Sequence, residues 1–351
     1  MQLADRLTTT GRADDAVREY RRIIRNAPGS IRAWRGMART YHEAGRKLES
    51  GIALAPLVIL GDASDIEAGM ARQKRVQAGF AKPGSFDNNV MQRITAADGW
   101  EEMRLMSLFS AIGEALLKMY PPELESYGVS SRDRIRGDHP LLMMCDRMAQ
   151  VFLVEEYELY IHSGQTSDVV VELMDPPALM VPSFVTDLPE EQQAFIMARA
   201  FTMLSRGMHS VVTLGWREMA KVVAAALRMA DPTYAKGRFN DDEVANLSRL
   251  LHKSMSRRGR KLLEAATAQC LASPAVDVER WGPTVERTTA RTAALLANDL
   301  PAAVSVLRQT GAAPANVDGA TTVAQSAIVA DLFRFWATDA AFEIRRAAGI
   351  L

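Results

Sequence analysis

Residues that could bind a metal or attack a substrate are sparse in this chain. Five histidines, His42, His139, His162, His209 and His252, are scattered over 351 residues without a ligand spacing among them. A helical zinc pair needs histidines four apart, so that both rings leave the same helix face. Cys145 and Cys270 lie far apart and match neither a metal nor a redox spacing. They read as buried thiols of a reducing compartment. No glycine run gives the G-x-x-x-x-G-K loop that cradles phosphates, and no Ser-His-Asp order can be argued from the chain alone. The densest basic run, Lys253, Arg257, Arg258, Arg260 and Lys261, has no interleaved aromatics. A solvated helix end explains it better than an anionic partner. Trp281 and Trp336 read as core; the 18 methionines are compatible with an adaptable binding surface, but Phe195, Met197, Met203 and Met208 at helical spacing read better as core filling.

Composition narrows the function classes. Lysine plus arginine total 42 and aspartate plus glutamate total 42, which argues against a strongly basic nucleic-acid binder and against an acidic tail. Hydrophobic residues make up 48% and charged residues 24%, enough for sizeable cores in a soluble protein of two or three domains. Residues 1–11 contain Asp5 and Arg6 and lack the apolar centre of a signal peptide. The longest apolar run, residues 51–61, is interrupted by Pro56 and falls short of the roughly 20 residues a membrane span needs. The expectation is a soluble, cytoplasmic protein with no cofactor, no nucleic-acid partner and no membrane partner.

The elements available to position a site begin with a repeat. Leu3, Ala4, Leu7 and Gly11 recur 34 residues later as Met37, Ala38, Tyr41 and Gly45. Between them lie Ala16, Tyr20, Ile23, Pro28 and Trp34. Met37, Ala38 and Tyr41 share one helical face, and Ala16, Tyr20 and Ile23 share another. Gly11 and Gly45 suit helix ends that need a left-handed residue, and Pro28 cannot extend a helix. This pattern resembles the tetratricopeptide repeat, whose paired helices A and B carry such residues. The resemblance covers residues 3–47, with residues 48–63 able to form a second B helix around the small residue Ser50. A few neighbouring repeats are usually needed to bury each face. Either this is the end of a longer array continuing from upstream, or the partial array docks on the rest of the chain; the first is the preferred expectation.

Further along, helical spacing predicts helices over residues 64–78, ending at Gly79, then 100–119 and 141–153. Residues 80–89 contain Pro83, Gly84 and Asn88, which suits a boundary. The period then shortens. Leu159 and Ile161 alternate with polar neighbours, predicting a half-buried strand. A turn over 164–167, a second strand at Val169–Leu173 and a third at 179–181 follow. Beyond Leu188 the pattern is helical again. The predicted fold class is mostly α, with partial repeat hairpins over residues 1–80 and an α+β domain with one small sheet over 81–351.

Residues 188–203 read Leu-Pro-Glu-Glu-Gln-Gln-Ala-Phe-Ile-Met-Ala-Arg-Ala-Phe-Thr-Met. A short sheet followed by this helix resembles the HExxH zinc metallopeptidases whose third ligand lies in a later helix. The resemblance spans about residues 100–350 and lacks the family's strongest letters. Arg199 stands where the first histidine would be, Ala200 where the glutamate base would be, and Met203 where the second histidine would be. Glu286 matches the third ligand, Ala290 replaces an aspartate, and Arg291 matches the family's arginine. The stretch from Asp299 is also similar to large bacterial repeat proteins carrying such a degenerate domain. Zinc hydrolysis needs three ligands, a polarised water and a base. The resemblance therefore implies a domain that has lost its chemistry. It also implies an Arg199–Glu286 ion pair, buried where the metal was. The functional expectation is a non-enzymatic interaction or scaffolding protein. The alternatives are a hydrolase with a rebuilt site and a structural cap for a longer array.

Overall fold

The computed structural model describes residues 1–78, 80–96, 99–164, 166–272 and 276–351. The predicted helix end at Gly79, and Gln165 within the predicted turn, lie outside the described residues. In chain order the first helices are α1 (Gln2–Thr9), α2 (Ala13–Asn26), α3 (Ile31–Glu43), α4 (Lys47–Leu60), α5 (Asp65–Ala78) and α6 (Asn88–Ile94). Then come α7 (Gly99–Met119), α8 (Pro140–Phe152), and strands β1 (Glu158–His162), β2 (Val170–Glu172) and β3 (Ala178–Pro182). Next are α9 (Glu190–Ser205), α10 (His209–Leu214), α11 (Trp216–Leu227), α12 (Asp241–Ser254) and α13 (Arg257–Leu271). The chain closes with α14 (Val278–Ala297), α15 (Leu300–Gln309), α16 (Gly319–Gln325), α17 (Ala327–Trp336) and α18 (Asp339–Ala348). The protein is mostly helical with one small sheet, as the periodicity predicts.

The chain groups into two compact units that interleave along the sequence. The first comprises Met1–Ile94, Leu188–Arg199 and Thr289–Leu351. The second comprises Thr95–Asp187 and Ala200–Thr288. These are spatial groups, and they do not follow the chain order of a division at residue 80.

In the first unit the helix frame repeats. Helices α2 and α4 begin at Ala13 and Lys47, and α3 and α5 begin at Ile31 and Asp65, a 34-residue step in both cases. The period thus runs one helix beyond the residues that carry the repeat letters. Helices α1 and α3 end alike. Gly11 and Gly45 take φ of 72° and 75°. The next N–H, of Arg12 or Arg46, then reaches back to Leu7 O or Tyr41 O, at 2.9 and 2.8 Å. This closure satisfies carbonyls that a helix end leaves bare. Between the helices, Ala16, Tyr20, Trp34, Met37, Ala38 and Tyr41 are all buried. Ser50, the small residue of the second B helix, donates from Oγ to Ala38 O at 2.9 Å.

The C-terminal helices of the same unit cover the repeats. Helix α17 packs on α2, and α15 and α16 pack on α4. Phe333 meets Trp34 edge-on at 6.1 Å, and Phe342 meets Tyr41 at 5.6 Å. Docking of the partial array within the chain, the less preferred of the two expectations, is therefore present.

In the second unit α7 packs against α12 and α13, around a core that includes Leu108, Phe109, Met219 and Trp281. The sheet order is β1-β3-β2, with β1 parallel and β2 antiparallel to β3. The predicted alternation on β1 needs correction. Leu159 is buried, but so are Tyr160 and His162, while Ile161 is only half-buried. Tyr160 belongs to a second small core with Val129, Ala178 and Met180, so both faces of the sheet are covered.

Candidate functional site

The repeat residues predicted from the sequence converge as expected within the first unit. Tyr20 donates its hydroxyl to Asp5 at 2.6 Å, tying α2 to α1. Thr8 and Thr40 hydroxyls meet at 2.8 Å, tying α1 to α3. Trp34 donates from Nε1 to Pro28 O at 2.7 Å, which anchors the α2–α3 connection. Tyr41 carries the Arg46 guanidinium over its ring at 4.6 Å. Burial pushes the Tyr41 phenol above its ordinary value, against the opposing pull of Arg21 and Arg46. Leu3 remains exposed.

The positions matched to the peptidase pattern are distributed differently. Arg199, Ala290 and Arg291 belong to the first unit, and Ala200, Met203 and Glu286 to the second. Ala200, Met203 and Ala290 are buried apolar residues, and Met203 is part of the second unit's core. Glu286 is exposed and Arg199 half-buried. The buried character expected of that pair is therefore missing, because no carboxylate is stranded in a core at Glu286. Among the described residues no group of three or more His, Cys, Asp or Glu side chains could hold a metal ion.

Arg291 does form part of a site. Its guanidinium grips Asp331 through Nε and Nη2, both at 2.7 Å, and donates from Nη1 to Ile94 O at 3.0 Å. It lies 4.9 Å from the Phe335 ring. This arginine lines a cavity of about 350 Å³ in the first unit, together with Arg21, Arg25, Arg93, Arg334 and Asp339. Arg21 donates to Ala337 O at 2.6 Å and to Tyr41 Oη at 3.0 Å, and forms an ion pair with Asp339. Arg93 forms an ion pair with Glu343 between exposed side chains. Arg334 donates from Nε to Arg25 O at 3.0 Å. Five guanidinium groups thus gather beside three carboxylates, and the wall also includes the first residues of α18.

Sequence reasoning missed this cluster. The spacing of Arg21 and Arg25, four apart on one helix, was visible; Arg93, Arg291 and Arg334 join them only through tertiary packing. It also missed Gly36, where an added Cβ would stand 2.6 Å from the Tyr20 ring. A second polar pair lies in the other unit, where Arg206 and Glu102 meet at 2.5 Å with both side chains buried. Arg206 also donates to Met106 Sδ at 3.3 Å, and nothing in the sequence flagged this pair.

A family described as the tetratricopeptide repeat matches residues 1–40, which span α1, α2 and most of α3. No curated protein and no solved structure matches the chain. The paired helices, the repeated glycine closures and this match agree: the amino-terminal segment is similar to a tetratricopeptide repeat, a module used for protein–protein interaction.

Proposed function

We propose that this chain is a non-enzymatic interaction or scaffolding protein. The observation that carries the reading is the tetratricopeptide match over residues 1–40, on helices that repeat at a 34-residue step. Such hairpins present side chains to partner segments along stacked helices. In this reading residues 1–80 form the repeat segment, and residues 81–351 descend from a peptidase-like domain that no longer carries out hydrolysis. The residues at the matched positions support the loss. Arg199 cannot ligate a cation, Ala200 cannot accept a proton, and Met203 is a poor zinc ligand.

The experiment is metal analysis of the purified full-length protein, combined with a protease assay before and after chelator. The expected result is no stoichiometric zinc, an unchanged melting temperature in chelator, and no hydrolysis. Stoichiometric zinc with chelator-sensitive hydrolysis would overturn the reading. A second role, as the structural cap of a repeat array, is favoured by one observation. Helices α15, α16 and α17 lie against the repeat helices α2 and α4.

A further inference from the structure

The arginine cavity of the first unit is not explained by holding the fold together. Its guanidinium groups come from four helices, α2, α6, α14 and α17, and fall into two kinds. Arg21 and Arg291 are fixed. Their donors are taken by Asp339, Ala337 O and Tyr41 Oη in one case, and by Asp331 and Ile94 O in the other. They cannot turn toward a ligand, and Asp339 and Asp331 offset their charge. Arg25, Arg93 and Arg334 are exposed. Among the described residues no carboxylate lies within ion-pair distance of Arg25 or Arg334. Among the described residues Arg334 spends only Nε on the protein, which leaves its Nη1–Nη2 edge to face an acceptor. The Arg93–Glu343 pair joins two exposed side chains, so it contributes little and exchanges readily.

A second feature adds to this field. Thr338, Asp339 and Ala340, the start of the ten-residue helix α18, line the cavity. A helix start carries partial positive charge from N–H groups without an internal partner. Thr338 Oγ1 accepts from Ala341 N at 3.2 Å and satisfies one of them.

We infer that this cavity docks an acidic segment of a partner protein, a short stretch carrying spaced aspartate or glutamate side chains. The inference deepens the interaction reading and rests on it. A free phosphate fits less well. The cations with spare donors, Arg25 and Arg334, are exposed groups on two different helices, while the immobile ones are already neutralised. A chain with spaced carboxylates can engage the outer arginines one at a time.

The test is fluorescence anisotropy of labelled hexaglutamate with the full-length protein, at low and at moderate salt. Wild type should bind, and binding should weaken as salt rises. The variant R25E/R334E should lose about tenfold or more in affinity, with an unchanged circular dichroism spectrum. Charge reversal of the exposed run on α13, R257E/R258E, should leave binding intact. Should R25E/R334E fail to fold, R25E alone carries the same expectation in smaller measure. Wild-type affinity in a folded R25E/R334E protein would overturn the proposal, as would loss of binding in R257E/R258E. Full displacement of the peptide by equimolar inorganic phosphate would also overturn it, in favour of a small-anion site. No binding by wild type would sink the acidic-segment proposal alone, because the scaffold reading is judged by zinc content and hydrolysis.

Discussion

At the scale of single residues, two positions carry consequences that their types alone do not announce. Gly36 lies within α3, where alanine would ordinarily stabilise the helix by about 1 kcal/mol. Here a Cβ would stand 2.6 Å from the Tyr20 ring. That ring cannot swing aside freely, because its hydroxyl is held by Asp5 at 2.6 Å. Overpacking should outweigh propensity, so Gly36→Ala is expected to destabilise by about 1–2 kcal/mol in denaturant unfolding. A more stable variant would show that the ring yields. His209 is the second case. Its Nδ1 is buried and has no hydrogen-bond partner among the described residues. Burial pushes its pKa from 6.5 down to about 4. Above pH 6.5 the ring is neutral whether folded or unfolded, and no stability depends on it. Below that, the unfolded chain takes up a proton that the folded chain refuses. Stability should therefore fall between about pH 6.5 and pH 4 and the loss then level off. Its size should be about 1–3 kcal/mol, toward the lower end because the residue keeps some exposure. His209→Gln, melted across the same range, should lose that part of the slope; an unchanged slope would assign it to carboxylates instead.

At the scale of elements, α4 shows how a helix tolerates a residue that should break it. Pro56 lies inside α4 and has no N–H to offer the carbonyl of Ile52, four residues earlier. That carbonyl is instead met by Trp336 Nε1 from α17, at 2.8 Å. Trp336→Phe should leave the carbonyl buried and unsatisfied, costing about 1–3 kcal/mol beyond the change in packing. Pro56→Ala restores a backbone N–H at the required position. In the Trp336→Phe background it should recover about 1 kcal/mol more than it contributes in wild type, read from thermal or denaturant melts as a coupling. Additive effects would mean that the indole bond carries nothing. The same elements mark the limit of what the sequence discloses. The hairpin of α2 and α3 was legible because Gly11, Tyr20, Trp34 and Gly45 have local reasons to be where they are. Helix α5 keeps the 34-residue step, but Ala68, Met70 and Arg75 stand where Trp34, Gly36 and Tyr41 stand one repeat earlier. The spacing persisted after the letters were gone, so the third A helix read only as a charged helix. The direct approach of α16 to α4 was equally silent. A Cβ on Gly319 would fall 1.8 Å from Ile59 O, yet glycine at a helix start is common enough to pass unnoticed.

At the scale of the whole molecule, the first unit is assembled from three separated stretches of chain. The arginine cavity has the same origin. Arg21 and Arg25 come from the repeat, and Arg291 and Arg334 from more than 250 residues later. No local pattern could have joined them, whereas the absence of a histidine pair was readable at once. This arrangement also decides how the repeat segment is stabilised. Repeat hairpins bury one another's faces, and two and a half of them leave apolar surface uncovered. Trp34, Tyr41 and Ile52 are fully buried, and Phe333, Phe342 and Trp336 from the end of the chain help to cover them. A fragment of residues 1–94 loses those partners while keeping every repeat residue. It is expected to show weak helicity and no cooperative melt by circular dichroism. Joining residues 289–351 to it through a flexible Gly/Ser linker should restore a cooperative transition, because the returning helices re-cover Trp34, Tyr41 and α4. A cooperative melt by residues 1–94 alone would mean that the repeat helices carry their own core and that α15–α18 only rest on them.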